Sequence, residues 1–349
     1  MNIVVNGHNI FLIIAVCFIS SLIFVYISKK IAEYLEIYDI PNERKVHKKP
    51  IPLLGGIGIF LSFLLGYMLF APKNELMLSI LIASFLIILL GIFDDVKPIK
   101  ARYKIIIHIL VAIIIVFYGN LKLTDLTILG THINFNGFSS IITILIIVST
   151  INAINLIDGL DGLCAGISSI YFLTIAIIAI ILNKFGGLDI ILSLIMLGST
   201  LGFLVHNFPP AKIFMGDTGS TFLGVMISVI MLLGFKTVTI TSLVIPALIL
   251  ALPILDTLFA IIRRTVNKKP IGAPDKNHIH HQLLKRHLGK TKSLLIIYGI
   301  NIVFSVTSIF YALGYHKETI VCYVFLVFIL LFLIFKTNII FDREKGEKK

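Results

Sequence analysis

Apolar residues run along this chain in blocks separated by short polar stretches, and each block has about the 20 residues that a helix needs to cross a bilayer. The pattern predicts eleven helices, near residues 9–28, 53–71, 77–95, 102–118, 138–157, 163–182, 187–204, 219–235, 242–262, 293–314 and 318–336. The expected fold class is therefore all-α, a polytopic membrane protein of about eleven transmembrane helices. The first block, Ile10 to Ser28, has no basic residue before it and no small-residue cleavage site after it, so it reads as a span and not as a removable signal peptide. No long repeat, low-complexity tract or stretch large enough for a soluble domain interrupts the series. Residues 1–349 read as a single membrane-embedded domain, with a basic loop at 263–292 and a charged tail at 337–349.

Composition agrees with this. Hydrophobic residues make up 58% of the chain and charged residues 14%, and the mean hydropathy of +1.02 lies beyond the range of a water-soluble globular domain. The net charge of +12 would suit nucleic acid, but its distribution points elsewhere. With the N-terminus outside, the inside segments 29–52, 94–104, 206–218, 263–292 and 336–349 hold 25 of the 30 Lys and Arg residues. This asymmetry follows the positive-inside rule, places the C-terminus in the cytoplasm, and makes anionic lipid headgroups rather than nucleic acid the partner of the basic loops. Cys17, Cys164 and Cys322 lie far apart, without the spacing of a disulfide framework or a metal site.

The polar residues that break the apolar blocks gather on the inside. The third helix ends on Asp94-Asp95, followed by Lys97, Lys100, Arg102 and Lys104. A helix C-terminus already carries partial negative charge, so two acids there need a cation, a proton or basic neighbours. The plain alternative is a solvated acidic end tied to those lysines. The fifth helix ends in Asn152-Ala-Ile-Asn155-Leu-Ile-Asp158-Gly-Leu-Asp161-Gly162, where glycines favour a tight turn that projects Asp158 and Asp161 into a cavity. Amide and carboxylate oxygens are hard ligands suited to Mg²⁺, and a polar helix cap is the alternative. The next inside segment runs from His206-Asn207 to Phe214-Met-Gly216-Asp217-Thr218-Gly-Ser220. Its Gly-flanked acid lets a carboxylate and backbone N–H groups approach a phosphate and its metal, or else forms an ordinary capping turn. The basic loop carries Arg263, Arg264 and the run His278-Ile279-His280-His281. It has no nearby cysteine and no two-plus-two spacing, so imidazoles gathered around a polyanion suit it better than zinc. Asp256, two turns before Arg263, reads as half of an internal ion pair. Acids beside bases on one membrane face, with a midplane nearly free of ionisable groups, argue against a pump and suit metal-dependent phosphoryl transfer between a soluble anion and a lipid anion.

These motifs, with Arg44-Lys45-Val46-His47 through Gly55-Gly56, Phe93-Asp94-Asp95 and Asn207 through Ser220, resemble in type and order the polyprenyl-phosphate N-acetylhexosamine-1-phosphate transferases. The resemblance covers nearly the whole chain. It implies Mg²⁺, with Mn²⁺ as the substitute, on Asp217 and Asn155. Asp94 and Asp95 would serve the lipid phosphate, one of them as the base, and His278, His280 and His281 would contact phosphates. Lys48, Asn152, Asp158, Asp161, Asn207 and Phe214 would bind substrate, with Phe214 stacking on uracil. The sister muramoyl-pentapeptide branch carries three consecutive histidines, whereas Ile279 here separates His278 from His280. The implied reaction is transfer of N-acetylglucosamine 1-phosphate from its UDP-sugar to undecaprenyl phosphate, with release of UMP, at the cytoplasmic face of the cell membrane. A homodimer is compatible with the sequence. Direct attack and an aspartyl-phosphate route both remain open, and the pentapeptide transferase, a transporter and a scaffold without chemistry are the rival readings.

Overall fold

The protein is described by a computed structural model covering residues 4–41, 47, 49–128, 131–182, 185–237, 249–267, 279–285 and 289–336. It is a helical assembly. The helices are α1 (Ile10–Tyr34), α2 (Gly55–Phe70), α3 (Glu75–Val96), α4 (Ala101–Ile113, continued by a π-helical turn Ile114–Tyr118), α5 (Ser139–Ile157) and α6 (Leu163–Ile181). They continue with α7 (Leu188–Asn207), α8 (Gly216–Thr237), α9 (Ala251–Val266), α10 (Ile279–Lys285), α11 (Lys290–Ala312) and α12 (His316–Lys336). Among the described residues sheet is confined to three small antiparallel pairs: β1 (Val4–Val5) with β2 (His8–Asn9), β3 (Tyr38–Asp39) with β4 (Ile51–Pro52), and β5 (Asp125–Ile128) with β6 (Thr131–Asn134).

Among the described residues eight helices are long and apolar enough to cross a membrane: α1, α3, α4 with its π turn, α5, α6, α7, α8 and α11. The helix expected near 53–71 is α2, apolar but only 16 residues long. The one expected at 242–262 falls partly outside the described residues, and α9 begins at Ala251. Two boundaries differ from expectation for local reasons. The first helix runs past its apolar block to Tyr34, where Lys29 and Lys30 pair with Glu33 at 3.5 and 2.9 Å. The eighth starts at Gly216 rather than near 219, because the Asp95 carboxylate accepts the N–H groups of its first turn. The basic loop also contains a short helix, α10, that hydropathy does not reveal.

Caps and breakers set the other ends. Asn9 and Asn74 accept hydrogen bonds from Phe11 N and Met77 N at 2.8 Å, which opens α1 and α3. Pro98, just beyond Lys97, prevents α3 from continuing.

Helix α8 forms the centre of the assembly, with every residue from Thr218 to Leu233 buried. It packs against α2, α3 and α5. The Phe222 ring meets Phe60 and Phe63 edge-on, with centroids 5.6 and 5.4 Å away. Next to them, a Cβ on Gly56 would lie 2.2 Å from Gly219 N, so the α2 and α8 backbones touch there. A second seam joins α1, α2 and α7. Ser62 Oγ donates to Cys17 O at 2.7 Å and lies 2.9 Å from Ser199 Oγ, and Ser21 Oγ donates to Ser199 O at 2.7 Å. Small side chains and hydroxyl bonds of this kind hold helices together where lipid supplies no hydrophobic drive. Outer faces carry exposed Phe11, Ile23, Phe85, Leu89, Leu145 and Phe325, as expected of a multi-pass membrane protein.

Candidate active site

The C-terminal ends of α3 and α5 and the N-terminal end of α8 meet around a cavity of about 570 Å³. Its walls bring together Asp94, Asp95, Asn155, Asp158, Asp217 and Phe214, which the chain supplies from three separate segments. Asp161, Asn207 and His281 line it too.

The acids are not equivalent. Asp95 Oδ1 accepts from Asp217 N at 2.8 Å, and Oδ2 accepts from Thr218 N at 3.2 Å and Thr218 Oγ1 at 2.6 Å. The anion at this helix N-terminus is therefore the protein's own carboxylate. Asp94 Oδ1 accepts from Ile99 N at 2.7 Å, while its Oδ2 and Asp217 Oδ2 lie 2.7 and 2.6 Å from Lys104 Nζ. Asp94, Asp95 and Asp217 offer carboxylate oxygens within 4.8 Å of one another. Asn155 Nδ2 donates to Ser220 Oγ at 2.9 Å beside them. Hard oxygen donors converging on a point already shared by an ammonium group fit a small divalent cation.

The turn after α5 is held from several directions. Asn207 Oδ1 accepts from Gly162 N at 2.9 Å and its Nδ2 donates to Ile213 O at 2.8 Å, so both ends of the amide clasp backbone. Asp161 Oδ2 accepts from Ala211 N and from Lys290 Nζ, both at 3.2 Å. Tyr298 Oη donates to Gly162 O at 2.5 Å. Asp158, at the α5 end, is pushed up to about 8, first by burial and then by the negative charges of Asp217, Asp95, Asp39 and Asp161. Phe214 is fixed through its backbone, which donates to Pro52 O and accepts from Gly55 N, both at 2.9 Å. His47 meets the Phe214 ring edge-on at 5.2 Å, and its Nε2 lies 3.2 Å from Asp39 O and 3.5 Å from Asp39 Oδ2.

The sequence profile of glycosyl transferase family 4 matches residues 77–235, which run from α3 through most of α8. A probable undecaprenyl-phosphate N-acetylglucosaminyl 1-phosphate transferase of Bacillus subtilis is 45% identical over 325 residues, 91% of this chain and 89% of the relative. The chain belongs to glycosyl transferase family 4. Undecaprenyl-phosphate alpha-N-acetylglucosaminyl 1-phosphate transferases of Haemophilus influenzae and Thermotoga maritima are 32% and 31% identical over 87% and 91% of the chain, covering 88% and 94% of their own lengths. The family resemblance read from the motifs is borne out.

In this family 4 chain the cavity gathers nine of the expected site residues, and Asn152 stands apart from them. Its Nδ2 turns back along α5 to Val148 O at 2.7 Å and lies 3.4 Å from His108 Nδ1. Lys48, His278 and the side chain of His280 lie outside the described residues. Asp256 is buried, as are Arg263 and Arg264 two turns along α9. The structure adds Lys104, Asp39 and Lys290 to the site's surroundings, and sets Thr218 and Ser220, from the Gly-flanked turn read in the sequence, on Asp95 and Asn155. Lys104 is visible in the sequence as the last residue of the basic run after Asp95, but nothing there singles it out from Lys97 or Lys100.

Proposed function

We propose that the chain transfers N-acetylglucosamine 1-phosphate from UDP-N-acetylglucosamine to undecaprenyl phosphate and releases UMP, an opening membrane step of envelope glycan synthesis. The carrying observation is that Asp94, Asn155 and Asp217 line one cavity, with Lys104 Nζ bridging the two carboxylates, in a chain 45% identical to a probable undecaprenyl-phosphate N-acetylglucosaminyl 1-phosphate transferase.

An oxygen of the lipid phosphate attacks the phosphorus that bears the sugar. A new P–O bond forms, the bond from that phosphorus to the bridging oxygen breaks, and UMP leaves with the electron pair. Mg²⁺ bound to Asp217 and Asn155 would supply charge neutralisation for the diphosphate. Asp94 lies next to exposed Phe93 at the end of an apolar helix, within reach of a phosphate at headgroup depth, and takes its last proton. Lys104 turns between the carboxylates and the phosphates. Phe214 offers its face to uracil, His281 contributes a cation or donor at the rim, and Asp158 and Asp161 present the turn that receives the nucleoside.

The fuller topology belongs to this proposal: eleven spans, the N-terminus outside, and the cavity and C-terminus on the cytoplasmic side, following the distribution of Lys and Arg. The test is UMP release by purified protein in detergent with undecaprenyl phosphate, with and without Mg²⁺, comparing UDP-N-acetylglucosamine with UDP-muramoyl-pentapeptide. Release that requires lipid, metal and the simple sugar supports the reading. Activity with the pentapeptide donor alone moves the chain to the sister branch, and absence of lipid-dependent UMP removes the transferase reading.

A further inference from the structure

Asp94 and Asp95 are adjacent in sequence but are bonded to different parts of the site. Asp94 holds one backbone N–H and a lysine ammonium, a partner that can turn toward a phosphate. Asp95 accepts three hydrogen bonds from two consecutive residues at the start of α8, Asp217 N, Thr218 N and Thr218 Oγ1. This is a helix cap supplied by another helix, with an acidic side chain facing the positive end of α8. The surroundings are built for it. Gly216 has φ +68, a left-handed conformation open to glycine, and a Cβ there would lie 2.2 Å from Asp95 Oδ2. One turn before Asp95, a Cβ on Gly91 would lie 2.3 Å from Thr218 Cα, so α3 and α8 are in backbone contact at this point.

We propose that Asp95 is a positioning residue. It fixes the first turn of α8 so that the Asp217 carboxylate faces Asp94, Lys104 and Asn155, and it leaves contact with the lipid phosphate and removal of its proton to Asp94. The role of Asp94 rests on the transferase reading; the clamp on Asp217 does not.

Two readouts on the full-length protein test this: Mn²⁺ affinity by electron paramagnetic resonance without substrate, and steady-state kinetics with the lipid varied. Asn at position 95 keeps one acceptor oxygen and gains an N–H for the Thr218 hydroxyl, whereas Ala keeps neither. Asp95→Ala is expected to lower kcat about 100-fold and weaken Mn²⁺ binding, as follows from misplacing Asp217. Asp95→Asn is expected to stay within about tenfold of wild type on both readouts, the scale of one lost charge-assisted bond, with KM for the lipid unchanged. Asp95→Asn as impaired as Asp95→Ala in either readout would overturn the proposal, since an amide cannot act as the base and a carboxylate ligand loses its charge on becoming one. A raised lipid KM in Asp95→Asn would do the same. Should Asp95→Ala fail to fold, Thr218→Val decides the matter: the clamp requires a loss of about three- to tenfold in both kcat and Mn²⁺ affinity, and wild-type values contradict it. If the wild-type protein releases no UMP, the transferase reading fails while the Mn²⁺ titrations still test the clamp.

Discussion

Lys104 Nζ lies 2.6 Å from Asp217 Oδ2, joining residues 113 positions apart, and the same ammonium is 2.7 Å from Asp94 Oδ2. Two carboxylates from different helices thus share one cation inside a half-buried site, where loss of that cation leaves like charges facing each other. Lys104→Met is expected to lower kcat/KM for the UDP-sugar about 100-fold, and Lys104→Arg, a wider planar cation, to recover only part of it. Kinetics of UMP release measure both. Activity of Lys104→Met within about twofold of wild type would remove Lys104 from the site's chemistry.

Asp217 and Asn155 are the proposed metal ligands. Chelation of divalent cations should abolish UMP release, and added Mg²⁺ or Mn²⁺ should restore it. Asp217→Asn should lower kcat by about 1,000-fold and weaken Mn²⁺ binding in the absence of substrate. Unchanged Mn²⁺ binding in that variant places the metal elsewhere.

Phe214 is held by its backbone to Pro52 and Gly55, so its ring can be cut back without removing those bonds. Phe214→Ala should raise KM for the UDP-sugar about tenfold, within the range of a lost base stack, and leave the lipid KM unaltered. Phe214→Tyr should stay near wild type. A change confined to the lipid KM would show that the ring faces the other substrate.

The raised Asp158 gives stability a pH dependence of known sign. Its ordinary value is 3.8 and its folded value about 8, so between them the native state binds more protons than the unfolded chain. The stabilisation is complete below the lower value and is lost as pH rises through the upper one. Thermal unfolding in detergent should therefore show wild type losing stability from pH 5 to pH 8 relative to Asp158→Asn, whose side chain does not titrate. Parallel curves for the two proteins would mean that Asp158 ionises freely in the fold.

Gly56 lets α2 touch α8, where an added Cβ would lie 2.2 Å from Gly219 N, a backbone atom that cannot turn away. Gly56→Ala should destabilise the protein by about 1–3 kcal/mol, the usual scale for overpacking. Thermal scanning of the purified variant reads this directly. Gly137→Ala is the control, because a Cβ there meets nothing within 4 Å.

The helical class, membrane location and family were legible in the sequence because each depends on local information. A run of apolar residues such as Ile10 to Ser28 spans a bilayer whatever its neighbours are, since lipid takes the place of a specific packing partner. Glycines beside Asp161 and Asp217 mark turns at helix ends, and their order along the chain identifies the family. Helix ends were less legible. Charged Lys29, Lys30 and Glu33 extend α1 beyond its apolar block, and the first turn of α8 depends on Asp95, which lies 122 positions before its first partner, Asp217.

The division of labour among the polar residues was decided by the tertiary structure. As a sequence, Asp94-Asp95 is a pair of interchangeable acids; folded, one faces a lysine and the other caps a helix. Asn152 and Asn155 are one turn apart with the same amide, yet Asn155 reaches Ser220 in the cavity while Asn152 folds back toward Val148 and His108. Lys104 became part of the site only when α4 was set against α3 and α5, which brings its ammonium to Asp94 and Asp217. Hydropathy and turn residues act over a few positions and can be read along the chain, whereas a hydrogen bond depends on separations of about 3 Å that are set by how distant helices pack.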